Sequence, residues 1–317
     1  MSLFIPAWDW HAVLIDPWTS SWEISFWTVL MGFLVTATCG LVGNYLLLRR
    51  MALVGDAMSH SILFGLVVVF IVMREANTLA MFLGAIASGL LTVSLIELIH
   101  RHSRIKSDAA MCIAFTTLFA LGVALLSAAE ISGPVHLDAE CVLYGEIAFV
   151  AFGEPVFLGD QILGPLPVVR MALVFLVVVV LIALFYKELL ITAFDSVLAK
   201  TLGLRAAAWH YGLMAVLSLV IVSAFEAVGA ILAIGMLIVP AMFAAQLSQH
   251  LPTRLVLTVV HGALVSLLGF HGSVWLNCST AGAMVVMSAL LFVLAWAATQ
   301  SMGLARAWSN KQPTVSE

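Results

Sequence analysis

Residues Gly55–Ser61 read GDAMSHS, and within them Asp56 and His60 stand four positions apart in an otherwise apolar run. On an α-helix that spacing places both side chains on one face, about one turn apart. A carboxylate and a neutral imidazole are both good ligands for a divalent transition metal. A cation would also remove the penalty that an unpaired carboxylate suffers away from water. The plainer alternative is a structural Asp–His hydrogen bond beside Arg49 and Arg50, and spacing alone leaves both readings open. Two ligands from one chain are too few to hold a metal securely. A twofold dimer would bring two aspartates and two histidines together on its axis, where a translocation path belongs.

The elements that must carry this pair are unusual in composition. The chain has 317 residues, of which 63% are hydrophobic and 9% charged, whereas a soluble domain carries ~25% charged residues. A water-facing shell cannot cover that much apolar surface, so the expected class is an all-α, polytopic membrane protein. Nine apolar stretches are long enough to span: about 24–48, 52–73, 78–99, 109–129, 168–186, 207–224, 227–247, 253–270 and 279–299, with eight spans as the alternative count. They are apolar on all sides, as lipid-embedded helices are, and their length disfavours a β-barrel. With the N-terminus outside, the inner segments hold eleven of the Lys and Arg residues and the outer side only Arg74 and Arg170. That asymmetry predicts N-out, C-in. The expected organisation is an external segment 1–23, a permease domain 24–299 and a cytoplasmic tail 300–317.

Other functions are disfavoured by what the sequence contains. No basic stripe with interleaved aromatics suggests nucleic acid. No G-x-x-x-x-G-K-[ST] run occurs, so the chain is not expected to be an enzyme, and any ATP that drives it would bind another chain. The four cysteines have no paired spacing, so neither a disulfide framework nor a zinc knuckle is expected. No Lys or Arg occurs in the first 48 residues, so a secretory signal is not expected either.

Several further residues admit two readings. The external loop 130–167 has no Lys or Arg and carries His136, Asp138 and Glu140; it is either a solvated loop or a site that gathers cations or docks a basic partner. Within it, CVLYGEIAFVAF is too short to span and reads as an interfacial or re-entrant piece. Glu226 is expected to begin a helix on the outer side, favourable for the helix dipole alone or available to a docking partner. His261 lies in an apolar run, either hydrogen-bonded to a neighbouring helix or lining a path. Gly229, Gly235 and Pro240 mark one late helix, for close packing or for a bend that opens a pathway. Glu97, His100 and His102 read as interfacial, while His11, His210, His250 and His271 suggest nothing specific. Tyr186–Ala207 alternates at helical spacing and predicts a short amphipathic helix beside the membrane on the cytoplasmic side.

Taken with their neighbours, these residues form a familiar series. LLLRRMALVGDAMSHSILFG resembles the signature of the ABC-3 family, the permease subunits of bacterial manganese, zinc and iron ABC importers. SDAAMCIAFTTLFALGVALLS, HLDAECVLYGEI, KELLITAFDSVLAKTLG and VGAILAIGMLIVPAMFA are similar to further family segments in the same order, over about residues 25–295. The resemblance implies that Asp56 and His60 are intramembrane ligands of the transported metal. It implies that Phe194, Asp195, Ala199 and Gly203 match an F-D-x-x-x-A-x-x-x-G pattern that docks on the ATPase. It also implies a second permease subunit (identical or paralogous), cytoplasmic ATPase subunits, an extracytoplasmic metal-binding protein and the bacterial inner membrane. No permanently bound cofactor is implied. Asn277 and Ser279 depart from the Asp-x-Pro often found at their places in the family. The rival readings are an ion-coupled secondary carrier, an ABC permease for a metal chelate, and a membrane scaffold in which the Asp–His pair is structural.

Overall fold

Continuous apolar sequence folds into helices here because a backbone amide in lipid has no water to bond and must bond within its own segment. The computed structural model describes residues 6, 8–73, 78–132, 147–158 and 161–309. A π-helical turn (His11–Ile15) leads into a short helix α1 (Asp16–Ser20) and then α2 (Trp22–Leu48), α3 (Leu53–Met73), α4 (Thr78–His102) and α5 (Ser107–Ser132). A 3-10 turn (Ile147–Phe152) precedes an antiparallel hairpin, β1 (Pro155–Leu158) and β2 (Gln161–Pro165), bulged between Val156 and Phe157. Six helices follow: α6 (Leu166–Leu184), α7 (Tyr186–Phe194), α8 (Ser196–Thr201), α9 (Ala206–Leu247), α10 (Leu251–Leu276) and α11 (Thr280–Ser309). Among the described residues, eight helical segments are long and apolar enough to cross a membrane.

The expected spans 207–224 and 227–247 both fall in α9, interrupted at Gly229 with φ 74° and ψ 170°. Ile221 and Leu237, on opposite sides of Gly229, both approach Gly55. A straight helix would hold them ~24 Å apart at ~1.5 Å per residue, so the chain doubles back at Gly229. The positive φ is what demands glycine there. The returning leg, Leu232–Leu247, is the shorter of the two and contains Pro240. Glu226 therefore does not begin a helix, as expected from sequence, but lies in the last turn before the reversal.

The core is built around α2, which packs on α6, α9 and α10, while α3 packs on α4, α5 and α9. Small residues set these contacts. A Cβ on Gly43 would stand 2.0 Å from the Leu237 carbonyl oxygen, and one on Gly65 would stand 2.3 Å from that of Gly84. Gly235 faces Val285 of α11, a packing role.

Residues at one end of the bundle are joined by side chains: Arg49 to Thr192 and His210, and Tyr211 to Glu97, which also pairs with Arg101. These contacts gather the C-terminal ends of α2 and α4, the start of α9 and helix α7 into what we call the basic end. At the opposite end, His271 receives the Trp18 indole N–H on Nε2 (3.4 Å) and donates from Nδ1 to the Val13 carbonyl (2.9 Å). Trp275 donates to the Pro6 carbonyl at 3.1 Å. The N-terminal segment is thus folded onto α10 rather than free, held by His271 and Trp275. Asn277 closes α10 in the left-handed region, and the Ser279 hydroxyl accepts the Gly282 N–H at the start of α11. Asn tolerates that conformation and Ser suits a helix start, so both family departures serve the α10–α11 turn.

Candidate metal centre and coupling elbow

Helix α3 has two chemically different sides. On the packed side, Ala57, Met58, Ser59 and Ser61 are buried. The Ser88 hydroxyl of α4 donates to the Ser61 carbonyl at 2.6 Å, and Thr92 donates to Ser61 Oγ at 2.5 Å. Gly55 lets α9 approach, with Leu237 Cδ2 only 2.3 Å from where a Cβ would sit. The small and hydroxylic residues of GDAMSHS thus seat the helix.

The other side carries Asp56 and His60. His60 Nε2 lies 3.3 Å from Asp56 Oδ1, with side chains 32% and 38% exposed respectively. The imidazole is held from behind by α5, stacked on Phe115 (centroids 5.6 Å, 28°) and edge-on to Phe119 (6.0 Å, 78°). Two donor atoms that each sit ~2.1 Å from one ion in adjacent coordination positions are themselves ~3.0–3.4 Å apart. The observed separation falls in that range. Among the described residues, no cluster of three or more His, Cys, Asp or Glu side chains could hold a metal. One chain thus presents one imidazole nitrogen and one carboxylate oxygen side by side on an open face of a single helix.

The remaining candidates are placed as follows. His261 is fully buried, with Nε2 2.9 Å from Ser288 Oγ of α11 and its ring 4.3 Å from that of Phe243. Gly229 makes the reversal, and Gly235 and Pro240 lie on the returning leg beside α11 and α2. His136, Asp138 and Glu140 lie outside the described residues.

The expected single amphipathic helix over 186–207 is instead two short helices. The chain bends at Asp195, whose backbone is extended and whose Oδ1 accepts the Val197 and Leu198 N–H groups at 2.8 and 3.1 Å. That is an N-cap, and it starts α8. Ala199 is fully buried, so it fixes α8 to the bundle. Gly203 closes α8 with φ 78°, the Gly203 N–H bonding to Lys200 O and the Leu204 N–H to Ala199 O, the helix-ending pattern that favours glycine. Phe194 and Val197 are each 68% exposed and Leu202 58%. The four pattern residues thus build an elbow that presents apolar side chains at the basic end. Sequence reasoning missed Phe115 and Phe119 behind His60, and the Arg49–Thr192–His210 junction. On helices apolar all round, no periodicity marks which residues face one another.

A bundle of membrane-spanning helices, with a paired carboxylate and imidazole on one helix and an exposed apolar elbow at one end, defines a multi-pass permease. The chain belongs to the ABC 3 transport family, whose profile matches residues 21–299. It is 41% identical over 278 residues to the manganese transport system membrane protein MntD of Bacillus subtilis, covering 88% of this chain and 93% of the relative. It is 37% identical to the zinc transport system membrane protein TroD of Treponema pallidum, covering 88% of this chain and 75% of that one. Among solved structures, PsaBC from Streptococcus pneumoniae in complex with Fab superposes with a TM-score of 0.72 at 32% identity, covering 89% of this chain and 94% of that chain.

Proposed function

We propose that this chain is the permease subunit of an ABC importer whose cargo is a divalent transition-metal ion, and that Asp56 and His60 are the cargo's ligands. The observation that carries this is the 3.3 Å separation of His60 Nε2 and Asp56 Oδ1 on the open side of α3. A second permease subunit, identical or paralogous, completes the coordination with its own pair. Histidine with carboxylate suits manganese, zinc and iron(II) alike, and each is the kind of cargo that this class takes. The chain lies in the bacterial inner membrane with its N-terminus outside. Arg49, Arg50, Arg101, Lys187, Lys200, Arg205 and Arg254 then all fall on the cytoplasmic side, in keeping with the positive-inside rule. An extracytoplasmic protein delivers the ion at the opposite end, and the loop carrying His136, Asp138 and Glu140, with Glu226, is the surface proposed to receive it.

ATP is bound by separate cytoplasmic subunits that press on the elbow of α7 and α8. Closure of the ATPases changes the side that the ligand pair faces. A pair that held the ion equally well in both states would trap it, so release depends on conformation. Vesicles reconstituted with the permease, its ATPase and its delivery protein should accumulate manganese(II), zinc(II) or iron(II) only with ATP. Accumulation that proceeds without nucleotide would instead establish a secondary carrier.

The elbow supplies its own prediction. Asp195→Ala removes the cap on α8 and, at ~1 kcal/mol for an N-cap, should loosen the elbow without unfolding the bundle. Co-purification of the ATPase should weaken while metal binding by the permease is retained. Unchanged co-purification together with unchanged transport would remove the elbow from the docking surface.

A further inference from the structure

Arg49 stands where three elements meet. It caps the C-terminal end of α2. Its Nη2 donates to Thr192 Oγ1 of α7 at 3.0 Å, and its Nη1 lies 3.2 Å from Nδ1 of His210 in the first turns of α9. A guanidinium only donates, so His210 accepts on Nδ1 and carries its proton on Nε2. Thr192 in turn donates to the Glu188 carbonyl within α7 (2.8 Å). Among the described residues, no carboxylate pairs with Arg49, and its Nε is buried without a partner. A half-buried cation held only by neutral acceptors is an expensive way to fasten a helix. An apolar contact would hold α7 more cheaply.

What the arginine joins is informative. Among the described residues, Arg49–Thr192 is the one side-chain hydrogen bond between the α7–α8 elbow and the long helices. Thr192 lies two residues before the exposed Phe194 and three before the bend at Asp195. On the other side, Arg49 opens the link from α2 to α3. Arg50 is left-handed at φ 57°, Met51 N–H bonds to Leu46 O at 2.9 Å, and Val54 N–H bonds to Met51 O at 3.1 Å. That link has no slack, so a displacement of Arg49 displaces the first turn of α3, which carries Asp56. Non-glycine residues reach the left-handed region at ~1 kcal/mol, which makes the turn a place where a small push changes the chain direction.

We infer that Arg49 is a positioning residue that transmits movement of the α7–α8 elbow to the start of α3, and through it to the Asp56–His60 pair. The inference rests on reading the elbow as the ATPase-docking element. The planar guanidinium can hold Thr192 and His210 at once, whereas a lysine ammonium is a single point on a flexible stem. A residue that merely fastened α7 would, when replaced, reduce assembly, ATP hydrolysis and transport together. A transmitting residue would leave hydrolysis running while transport falls behind it.

The test uses permease, ATPase and delivery protein in vesicles, with manganese(II) as probe, and reads ions imported per ATP hydrolysed. Arg49→Lys and Thr192→Val should each lower that ratio by at least ~10-fold, the size expected for loss of one hydrogen bond to a charged group. Manganese(II) binding by the isolated permease should be unchanged. Because the two residues share one bond, the double variant should be no worse than the more affected single variant. A wild-type ratio, or a parallel fall of hydrolysis and transport, overturns the inference. Should Arg49→Lys fail to fold, Thr192→Val, which keeps the side-chain volume, decides alone. Asp56→Ala in the same vesicles reads the metal site separately. Uptake that survives there removes the proposed function. Uptake abolished there, with a normal ratio in the other two variants, removes the transmission role alone.

Discussion

Replacing His60 by Phe is expected to abolish metal uptake while leaving the protein folded and abundant. The ring is held by Phe115 and Phe119, and a phenyl ring preserves that stack and its apolar contact area. Among the described residues its one polar contact is with Asp56 Oδ1 at 3.3 Å, so that contact alone is lost within the bundle. Under the proposed function, what disappears is a donor atom for the cargo. Changes to groups that merely support a ligand cost ~10–100-fold in metal affinity, so loss of the ligand itself should lower uptake by ~100-fold or more. Asp56→Asn should do the same, because it keeps the shape and removes the charge. Both are read by cell metal content in a strain that depends on this importer, with membrane abundance measured beside it. Normal accumulation at normal abundance would remove the pair from the path.

The second large effect is structural. Gly43→Ala should lower the thermal midpoint sharply and reduce the amount of protein in the membrane. The added Cβ would sit 2.0 Å from the Leu237 carbonyl oxygen and 3.4 Å from the Ala241 Cβ. Neither neighbour is the end of a flexible side chain, so α2 and the returning leg of α9 must move apart. Overpacking of this kind typically costs ~1–3 kcal/mol and sometimes more; backbone against backbone belongs at the upper end. Gly203→Ala offers a contrast. Nothing lies within 4 Å of its Cβ position, but its φ is 78°, so the cost is ~1 kcal/mol of local strain confined to α8. Gly212→Ala, with open space and no positive φ, should be neutral. A Gly43→Ala variant as stable as Gly212→Ala would show that α2 and α9 are not in the close contact described.

Much of the bundle is legible in the sequence because lipid imposes one rule on every span. The stretch 24–48 became Trp22–Leu48, 52–73 became Leu53–Met73 and 253–270 lies within Leu251–Leu276. Chain reversal within α9 is half legible. Two spans could be counted around residue 226, but only the φ of Gly229 shows where the turn lies. The Asp56–His60 pair is legible because charge is rare in such helices and a four-residue spacing has one geometric meaning. Its surroundings are not. Phe115 and Phe119 are the two aromatics of α5, and nothing in the sequence around them says that they face α3. His210 and His271 look silent in one dimension; they gain roles from Arg49 and Trp18, which the fold brings to them from far away in the chain. Asp195 shows the same limit at short range. The pattern around it reads as one amphipathic helix, yet an aspartate that can cap the amides two and three residues on competes with helix continuation, and here the cap prevails.

The central claim of the proposed function is that the ligand pairs of two permease subunits share one ion. The most direct measurement is the stoichiometry of manganese(II) bound to the purified permease without its ATPase, by equilibrium dialysis and metal analysis, in wild type, Asp56→Asn and His60→Phe. The account predicts one ion for every two permease chains, lost in both variants. A full ion on each chain, retained when Asp56 or His60 is replaced, would contradict it.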